Sequence, residues 1–212
     1  MTEARKHSDR NRQLNTPRVL IILGAIGPLL TLVLLSTDIA ISPWFTWTKS
    51  ALSDLGVHPY SLLFNGGIFI EGVLNIGFIY ALYRYFDVKK VVAAVLIIAG
   101  ISLSMVGVFN EHFSGIHITL ALIYFVLFPA GIIGFSIPRS RKTGSERMLG
   151  ISLSVIGLAF IAVGILEDFS LVRTPLGLGF YEFVEALCLI VWSVEVSLQR
   201  FAHTERYITV MQ

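Results

Sequence analysis

The sequence predicts an all-α polytopic membrane protein, a bundle of six transmembrane helices with the N and C termini in the cytoplasm. The first observation is composition: 55% of the 212 residues are hydrophobic and 14% are charged, against about 25% charged residues in a soluble domain. The second is a set of six apolar runs long enough to cross a bilayer. The third is the placement of the basic residues between those runs. This composition excludes a soluble enzyme, a disordered tail and a nucleic-acid-binding module.

The apolar runs match the roughly 20 residues that a spanning helix needs, and a helix satisfies its own backbone groups in lipid. They lie near residues 19–38, 62–85, 91–109, 116–137, 148–166 and 179–199. The first is too long for a signal-peptide core and no small-residue cleavage site follows it, so we expect it to be retained. The predicted organisation is a cytoplasmic polar tail over 1–17, a six-span domain over 18–200 and a cytoplasmic tail over 201–212.

All but two of the 16 basic residues fall on one side of the six-span path. They are Arg5, Lys6, Arg10, Arg12, Arg18, Arg84, Lys89, Lys90, Arg139, Arg141, Lys142, Arg147, Arg200 and Arg206. Because basic loops stay in the cytoplasm, this asymmetry predicts cytoplasmic termini and a multi-pass protein of the cell membrane. Only Lys49 and Arg173 fall on the other side.

Two segments carry weaker structural signals. The loop 39–60 contains Trp44, Phe45 and Trp47, which suit a membrane interface, and we expect part of it to lie along the membrane surface. The run Gly-Ile-Ser-Leu-Ser occurs at 100–104 and again at 150–154, in spans of the same direction. A duplicated helical hairpin explains this repeat, and chance recurrence in apolar sequence is the alternative.

Acidic and histidine side chains gather at the outer ends of the spans, on the side that holds two basic residues. They are Asp38, Asp54, His58, Glu111, His112, His117, Glu167, Asp168, Glu182 and Glu185. Ionisable groups against hydrocarbon are costly and usually face a bundle interior or a wet cavity. We therefore predict a polar pocket that opens to the non-cytoplasmic leaflet.

The pocket is predicted to centre on His117, Asp54 and the span-6 glutamates Glu182 and Glu185, which share a helix face because they are three residues apart. In an enzymatic version His117 is the general acid or base, since imidazole exchanges protons near neutral pH, and a carboxylate orients it. The residues predicted to bind a ligand are Ser53, Asn65, Asn110, Glu111 and His112. The alternative for 53–56 is a plain turn, capped by Asp54 and given a positive φ by Gly56.

Glu71 is the acid predicted to lie deepest, about ten residues or roughly 15 Å from the outer end of span 2. Asn75, one turn further along the same face, is its expected partner. A hydrogen bond across a helix interface and a proton or cation relay are both open for Glu71.

No cofactor is predicted. A divalent metal is the alternative, with ligands drawn from His112, His117, Asp54, Glu111, Glu182 and Glu185, although no compact metal-binding motif is present. The single cysteine, Cys188, excludes an internal disulfide framework and a cysteine-based zinc cluster.

Several short motifs lie at the outer ends of the spans: Ser53-Asp54-Leu55-Gly56, Phe64-Asn65 and Gly107-Val-Phe-Asn110, with His117 and Ala121. Together they resemble an archaeal and bacterial family of six-span membrane proteins described as domain of unknown function 998. More distantly they resemble the eukaryotic family of damage-regulated autophagy modulators and a GPI-anchor remodelling protein. The Glu-Trp pair of that family's last span is absent here, which leaves Glu182-Phe183 or Glu185 as its counterpart. The resemblance implies a lipid-related role at the non-cytoplasmic leaflet and an archaeal or bacterial origin.

Three functions follow as hypotheses. The first is a protein that binds or handles a lipid in the polar pocket, with acid/base catalysis left open. The second is a proton- or cation-coupled transporter or channel, and the third is a non-catalytic membrane scaffold or sensor. We expect a membrane lipid as partner and no nucleic acid, and a homo-oligomer is left open.

Overall fold

The computed structural model of the chain describes residues 3–137 and 144–210. Six long helices make up this part: α1 (Glu3–Ile41), α2 (Ser61–Tyr85), α3 (Lys90–Val108), α4 (Ser114–Ser136), α5 (Gly144–Asp168) and α6 (Leu178–Val210). Two 3₁₀ turns lie between them, the first turn over Ser53–Val57 and the second over Glu111–Phe113. Outside the described residues lie Arg139, Arg141 and Lys142, together with the side chains of Arg5, Lys6, Arg10, Arg12 and Asp168.

The helices pack in chain order around a ring that closes where α6 meets α1. At the closure the Ser197 hydroxyl donates to the Ile21 carbonyl across 2.8 Å, and Arg18 pairs with Glu205 at 2.6 Å. The beginning of the apolar part of α1 and the last turns of α6 therefore lie at the same end of the bundle, here called the terminal end. The opposite end, which holds residues 42–60, 109–113 and 169–177, is called the motif end.

The predicted class is confirmed, because the bundle is all-helical and several of its helices fit a membrane. Five stretches are long and apolar enough to cross one: Pro17–Ile41, Ser61–Tyr85, Lys90–Val108, Glu111–Ser136 and Gly144–Glu167. Large apolar side chains such as Val33, Val126 and Val155 are exposed on the outside of the bundle, as lipid contact requires. The protein is thus a multi-pass membrane protein.

The sixth helix falls outside that group, although it completes the ring. It carries Glu182, Glu185 and Glu195, and these acids lower its mean hydropathy. Its apolar face is nevertheless central to the core, because Trp192 makes edge-to-face contacts with Phe78, Phe128 and Phe135.

The ends of the first and last helices extend beyond the predicted spans. Helix α1 begins at Glu3 and α6 continues to Val210, so both polar tails are largely helical. Lys, Arg and Gln are good helix formers, which lets a helix continue past its apolar part. A prediction based on hydrophobicity finds the membrane segment and misses this extension.

The loop that joins α1 to α2 folds back over the motif end of the bundle. Leu52 and Leu55 are buried and pack with Leu35, Phe45 and Phe64 in a small apolar cluster. The buried leucines anchor the loop to the helices, and the expectation that part of it lies along the membrane surface stays a prediction. The loop therefore supplies a wall of the site.

Helices α2 and α3 cross at a point where side chains are small. A Cβ on Gly72 would lie 2.6 Å from the Gly100 carbonyl oxygen and would also meet Ser104. In the related run of α5, a Cβ on Gly150 would meet the Ser136 hydroxyl of α4. Each copy of the repeat therefore lies where its helix crosses the preceding one, and duplication stays a prediction.

Candidate functional site

The carbonyl oxygen of Gly56 joins three segments of the motif end. It accepts hydrogen bonds from the side-chain amides of Asn65, at 2.8 Å, and Asn110, at 3.3 Å. A Cβ on Gly56 would lie 2.6 Å from Asn65 Oδ1, so no larger residue fits there without a shift. Gly56 is needed for this close approach, and the positive φ expected of it is not observed.

Carboxylates hold the first turn against its neighbours. The Ser53 hydroxyl donates to Glu111 Oε1 across 2.5 Å, and the Leu52 N–H donates to Glu182 Oε2 across 2.7 Å. Asp54 accepts from the Ala51 N–H at 2.9 Å, and its carboxyl lies beside that of Glu111. The first turn is thereby tied to the second turn and to α6, which are far from it in sequence.

His117 lies in the first turn of α4 and is 4% exposed. Its Nδ1 is 2.8 Å from the carbonyl oxygen of Phe109, just after the end of α3. A carbonyl oxygen only accepts, so Nδ1 carries the hydrogen, and Nε2 of the neutral ring is left as an acceptor. Among the described residues, none is recorded as a hydrogen-bond partner of Nε2.

A cavity lies beneath this network, and its empty space is about 850 Å³ when the solvent outside its open mouth is included. Helices α1, α2, α3, α4 and α6 and the first turn all contribute to its wall. Its polar lining residues are Thr31, Ser53, Glu71, His117, Tyr124 and Glu182. Most of the remaining wall is apolar, with residues such as Phe64, Leu103 and Phe183, which is the usual make-up of a ligand pocket.

The polar groups fall into two levels along the helix axes. Ser53, His117 and Glu182 mark the motif end of the cavity, and Glu71 and Tyr124 line it deeper in the bundle. Seven residues separate His117 from Tyr124 on α4, which corresponds to about 10 Å at the rise of an α-helix. The cavity is therefore an apolar chamber with a polar group of residues at each end.

The structure gathers some of the predicted site residues and separates others. Ser53, His117 and Glu182 line the cavity, while Asp54 and Glu111 lie just behind Ser53. Asn65 and Asn110 support Gly56 and do not line the cavity.

Two predicted residues lie away from the cavity. Glu185 is fully buried and faces α5, where a Cβ on Gly157 would lie 3.2 Å from its side chain. Within the described residues neither of its carboxyl oxygens has a hydrogen-bond partner. His112 is exposed, and its backbone N–H bonds to Asn110 Oδ1. A separation of three residues turns a helix by 300°, and this is enough to point Glu185 toward α5 while Glu182 faces the loop.

Glu71 lies in the cavity with a neighbour that differs from the expected one. Its carboxyl lies beside Thr31 of α1, whose hydroxyl donates to the Gly67 carbonyl oxygen at 3.0 Å, while Asn75 Oδ1 has no hydrogen-bond partner among the described residues. Thr31 and Tyr124 are the lining residues that the sequence reasoning missed. Thr31 could have been predicted to line the cavity, because it is a polar residue within an apolar span. Nothing in the sequence distinguishes Tyr124 in this way.

The residues do not form an obvious metal centre. Within 3–137 and 144–210, no three His, Cys, Asp or Glu side chains are grouped closely enough to hold an ion. Glu111, Glu182 and Asp54 accept hydrogen bonds from protein donors.

A helical ring, two 3₁₀ turns and an internal cavity with apolar and polar walls together define a multi-pass membrane protein. A family model described as "Protein of unknown function (DUF998)" matches residues 25–199, and the chain belongs to this family. The match covers all the cavity and motif-end residues described above. No curated protein and no solved structure matches the chain.

Proposed function

We propose that this protein binds a lipid or a lipid-like amphiphile in the cavity, with the head group at the motif end. The observation that carries the proposal is the combination of an apolar wall with Ser53, His117 and Glu182 at one end. An amphiphile matches this division, because its chain replaces water against the apolar wall and its head meets polar partners. We place the mouth at the non-cytoplasmic leaflet of the cell membrane, following the positive-inside rule.

The test is the amount of lipid that the protein retains after extraction and a delipidating wash, measured by native mass spectrometry. Ala121 lines the cavity one turn after His117, so Ala121→Trp fills the chamber. Ala130 is exposed on the same helix, so Ala130→Trp is the matched control. We expect Ala121→Trp to lose the bound mass and Ala130→Trp to keep it; equal retention by the two variants contradicts the proposal.

If the protein catalyses an acid/base reaction on the bound molecule, His117 is the proton acceptor. Its Nε2 is an acceptor and can take a proton from a ligand hydroxyl or amine within hydrogen-bond reach. The test is incubation with a total lipid extract, followed by mass spectrometry of the lipids. Products that form with the wild type and not with His117→Asn support catalysis, and an unchanged extract restricts the function to binding.

Proton or cation transport is the second candidate, and the burial of Glu71 in the cavity favours it. Glu71 is 7% exposed and lines the deeper part of the chamber, beyond His117 and Glu182. In proteoliposomes, transport predicts ion flux above that of empty vesicles, and Glu71→Gln abolishes it. Flux at the level of empty vesicles removes this candidate and leaves lipid binding untouched.

A further inference from the structure

We propose that the cavity selects an amphiphile whose head group is a primary ammonium, over one with a neutral hydroxyl or an anionic phosphate. The inference rests on the proposed function and names the class of ligand. It is carried by the hydrogen-bond roles of the residues at the motif end of the cavity and by the absence of basic side chains from the described lining.

The groups that meet the head are hydrogen-bond acceptors. The hydrogen of the Ser53 hydroxyl is engaged by Glu111, which leaves the oxygen lone pairs of Ser53 toward a ligand. His117 donates to Phe109 through Nδ1–H, so Nε2 of the neutral ring is an acceptor, and no described residue bonds to it. Glu182 accepts from the Leu52 N–H and lines the same end of the cavity. A ligand that pairs with these groups has to bring the donors.

The charges around the head point in the same direction. Asp54 and Glu111 lie behind Ser53, and Glu182 lies in the wall. No Lys or Arg is found among the described lining residues. Lys49 and Arg173, the basic residues of this end, are exposed and do not line the cavity.

An anionic head is poorly served by this arrangement. Phosphate and carboxylate groups are recognised by Arg, Lys or clusters of N–H donors, and here they would face lone pairs and carboxyl groups. An ammonium carries three N–H donors and a positive charge, so it can pair with Ser53, His117 and Glu182 together. A hydroxyl brings one donor and no charge.

The experiment compares three probes with the same chain, dodecylamine, dodecanol and dodecyl phosphate, added in equal amounts to the protein in phosphatidylcholine nanodiscs. Native mass spectrometry measures each retained probe, and retention by Ala121→Trp is subtracted as uptake by the bilayer. We expect dodecylamine to exceed dodecanol by at least about tenfold, the effect of one hydrogen bond to a charged group. Dodecyl phosphate should not exceed the bilayer background.

Carboxylate-to-amide variants test which residues cause the preference for the amine over the alcohol. Glu182→Gln removes a charge and keeps an oxygen that can accept from Leu52, and it should reduce the ratio of amine to alcohol. Glu111→Gln does the same beside Ser53 and serves if Glu182→Gln does not fold. Glu195→Gln is the matched control, because Glu195 lies on α6 outside the cavity and bonds to Gln199; its ratio should equal the wild-type ratio.

The outcomes separate this inference from the proposed function. Retention of the alcohol equal to that of the amine, or a preference for the phosphate, overturns the ammonium assignment and leaves amphiphile binding in place. Retention of every probe at the Ala121→Trp level overturns the proposed function itself. An amine preference that Glu195→Gln abolishes and Glu182→Gln leaves intact also overturns the assignment to this end of the cavity.

Discussion

The Nδ1 of His117 lies 2.8 Å from the carbonyl oxygen of Phe109 and donates its hydrogen to it. The bond joins the residue after α3 to the first turn of α4, across the second 3₁₀ turn. It fixes both the tautomer and the orientation of the imidazole, as a backbone carbonyl commonly does for functional histidines. In the neutral ring the remaining nitrogen, Nε2, is therefore the acceptor, and the contact that fixes this lies outside the cavity.

His117 is predicted to have two separable roles, one for each ring nitrogen. In His117→Asn the side-chain amide can keep a donor near the position of Nδ1, so we expect thermal stability close to wild type and loss of retained lipid. In His117→Gln the amide reaches toward the position of Nε2 and leaves the Phe109 carbonyl without its donor, which costs about 1–3 kcal/mol. Wild-type lipid retention by His117→Asn would show that Nε2 has no part in binding.

Gly56→Ala is predicted to loosen the motif end. The new Cβ would meet Asn65 Oδ1 at 2.6 Å and Phe64 at 3.2 Å, so the amide bonds to the Gly56 carbonyl must shift. Hydrogen–deuterium exchange should rise over residues 51–57 and in the second turn. Gly115→Ala is the control, because nothing lies within 4 Å of its Cβ position; equal exchange in both variants contradicts the packing argument.

Gly72→Ala is predicted to destabilise the crossing of α2 and α3. Its Cβ would lie 2.6 Å from the Gly100 carbonyl oxygen and 2.5 Å from the Ser104 nitrogen, and backbone atoms cannot move aside as a side chain does. We expect a loss of about 1–3 kcal/mol in the free energy of unfolding. Gly66→Ala, in the same helix, meets only a Leu62 methyl at 3.7 Å, so it should be neutral or more stable by up to about 1 kcal/mol. Equal losses in the two variants would refute the close crossing.

Ser53 and Glu111 are predicted to be energetically coupled. A double-mutant cycle of Ser53→Ala and Glu111→Ala should give a coupling energy of about 1.5–3 kcal/mol, since the hydroxyl donates to a carboxylate at 2.5 Å. The control cycle pairs Ser53→Ala with Glu195→Ala. Because Glu195 lies on the terminal half of α6, away from Ser53, the changes in unfolding free energy of these two variants should be additive. A coupling near zero for the first cycle means that the two turns are not joined by this bond.

The helices were predictable from sequence because a membrane span needs only length and apolar composition. Their true ends were less predictable, since α1 continues over polar residues back to Glu3. The buried anchoring of the loop through Leu52 and Leu55 also depends on tertiary packing, which periodicity does not reveal.

Polar residues that interrupt apolar sequence were predicted to meet in one pocket, and Ser53, His117 and Glu182 do line one cavity. Glu185 does not line it, because helical spacing says which residues share a face and does not say what that face meets. Backbone groups such as the carbonyls of Gly56 and Phe109, which organise the motif end, have no sequence signature at all. The apolar lining of the cavity is likewise indistinguishable in sequence from lipid-facing or core residues.

The most direct test of the account is a structure of the protein in nanodiscs with its retained lipid, determined by electron cryo-microscopy with a bound antibody fragment. Lipid binding in the chamber predicts an elongated density along the wall formed by Phe64 and Phe183, with its polar end about 3 Å from His117 Nε2. An empty or collapsed chamber, or an Nε2 bonded to a protein group, would contradict it.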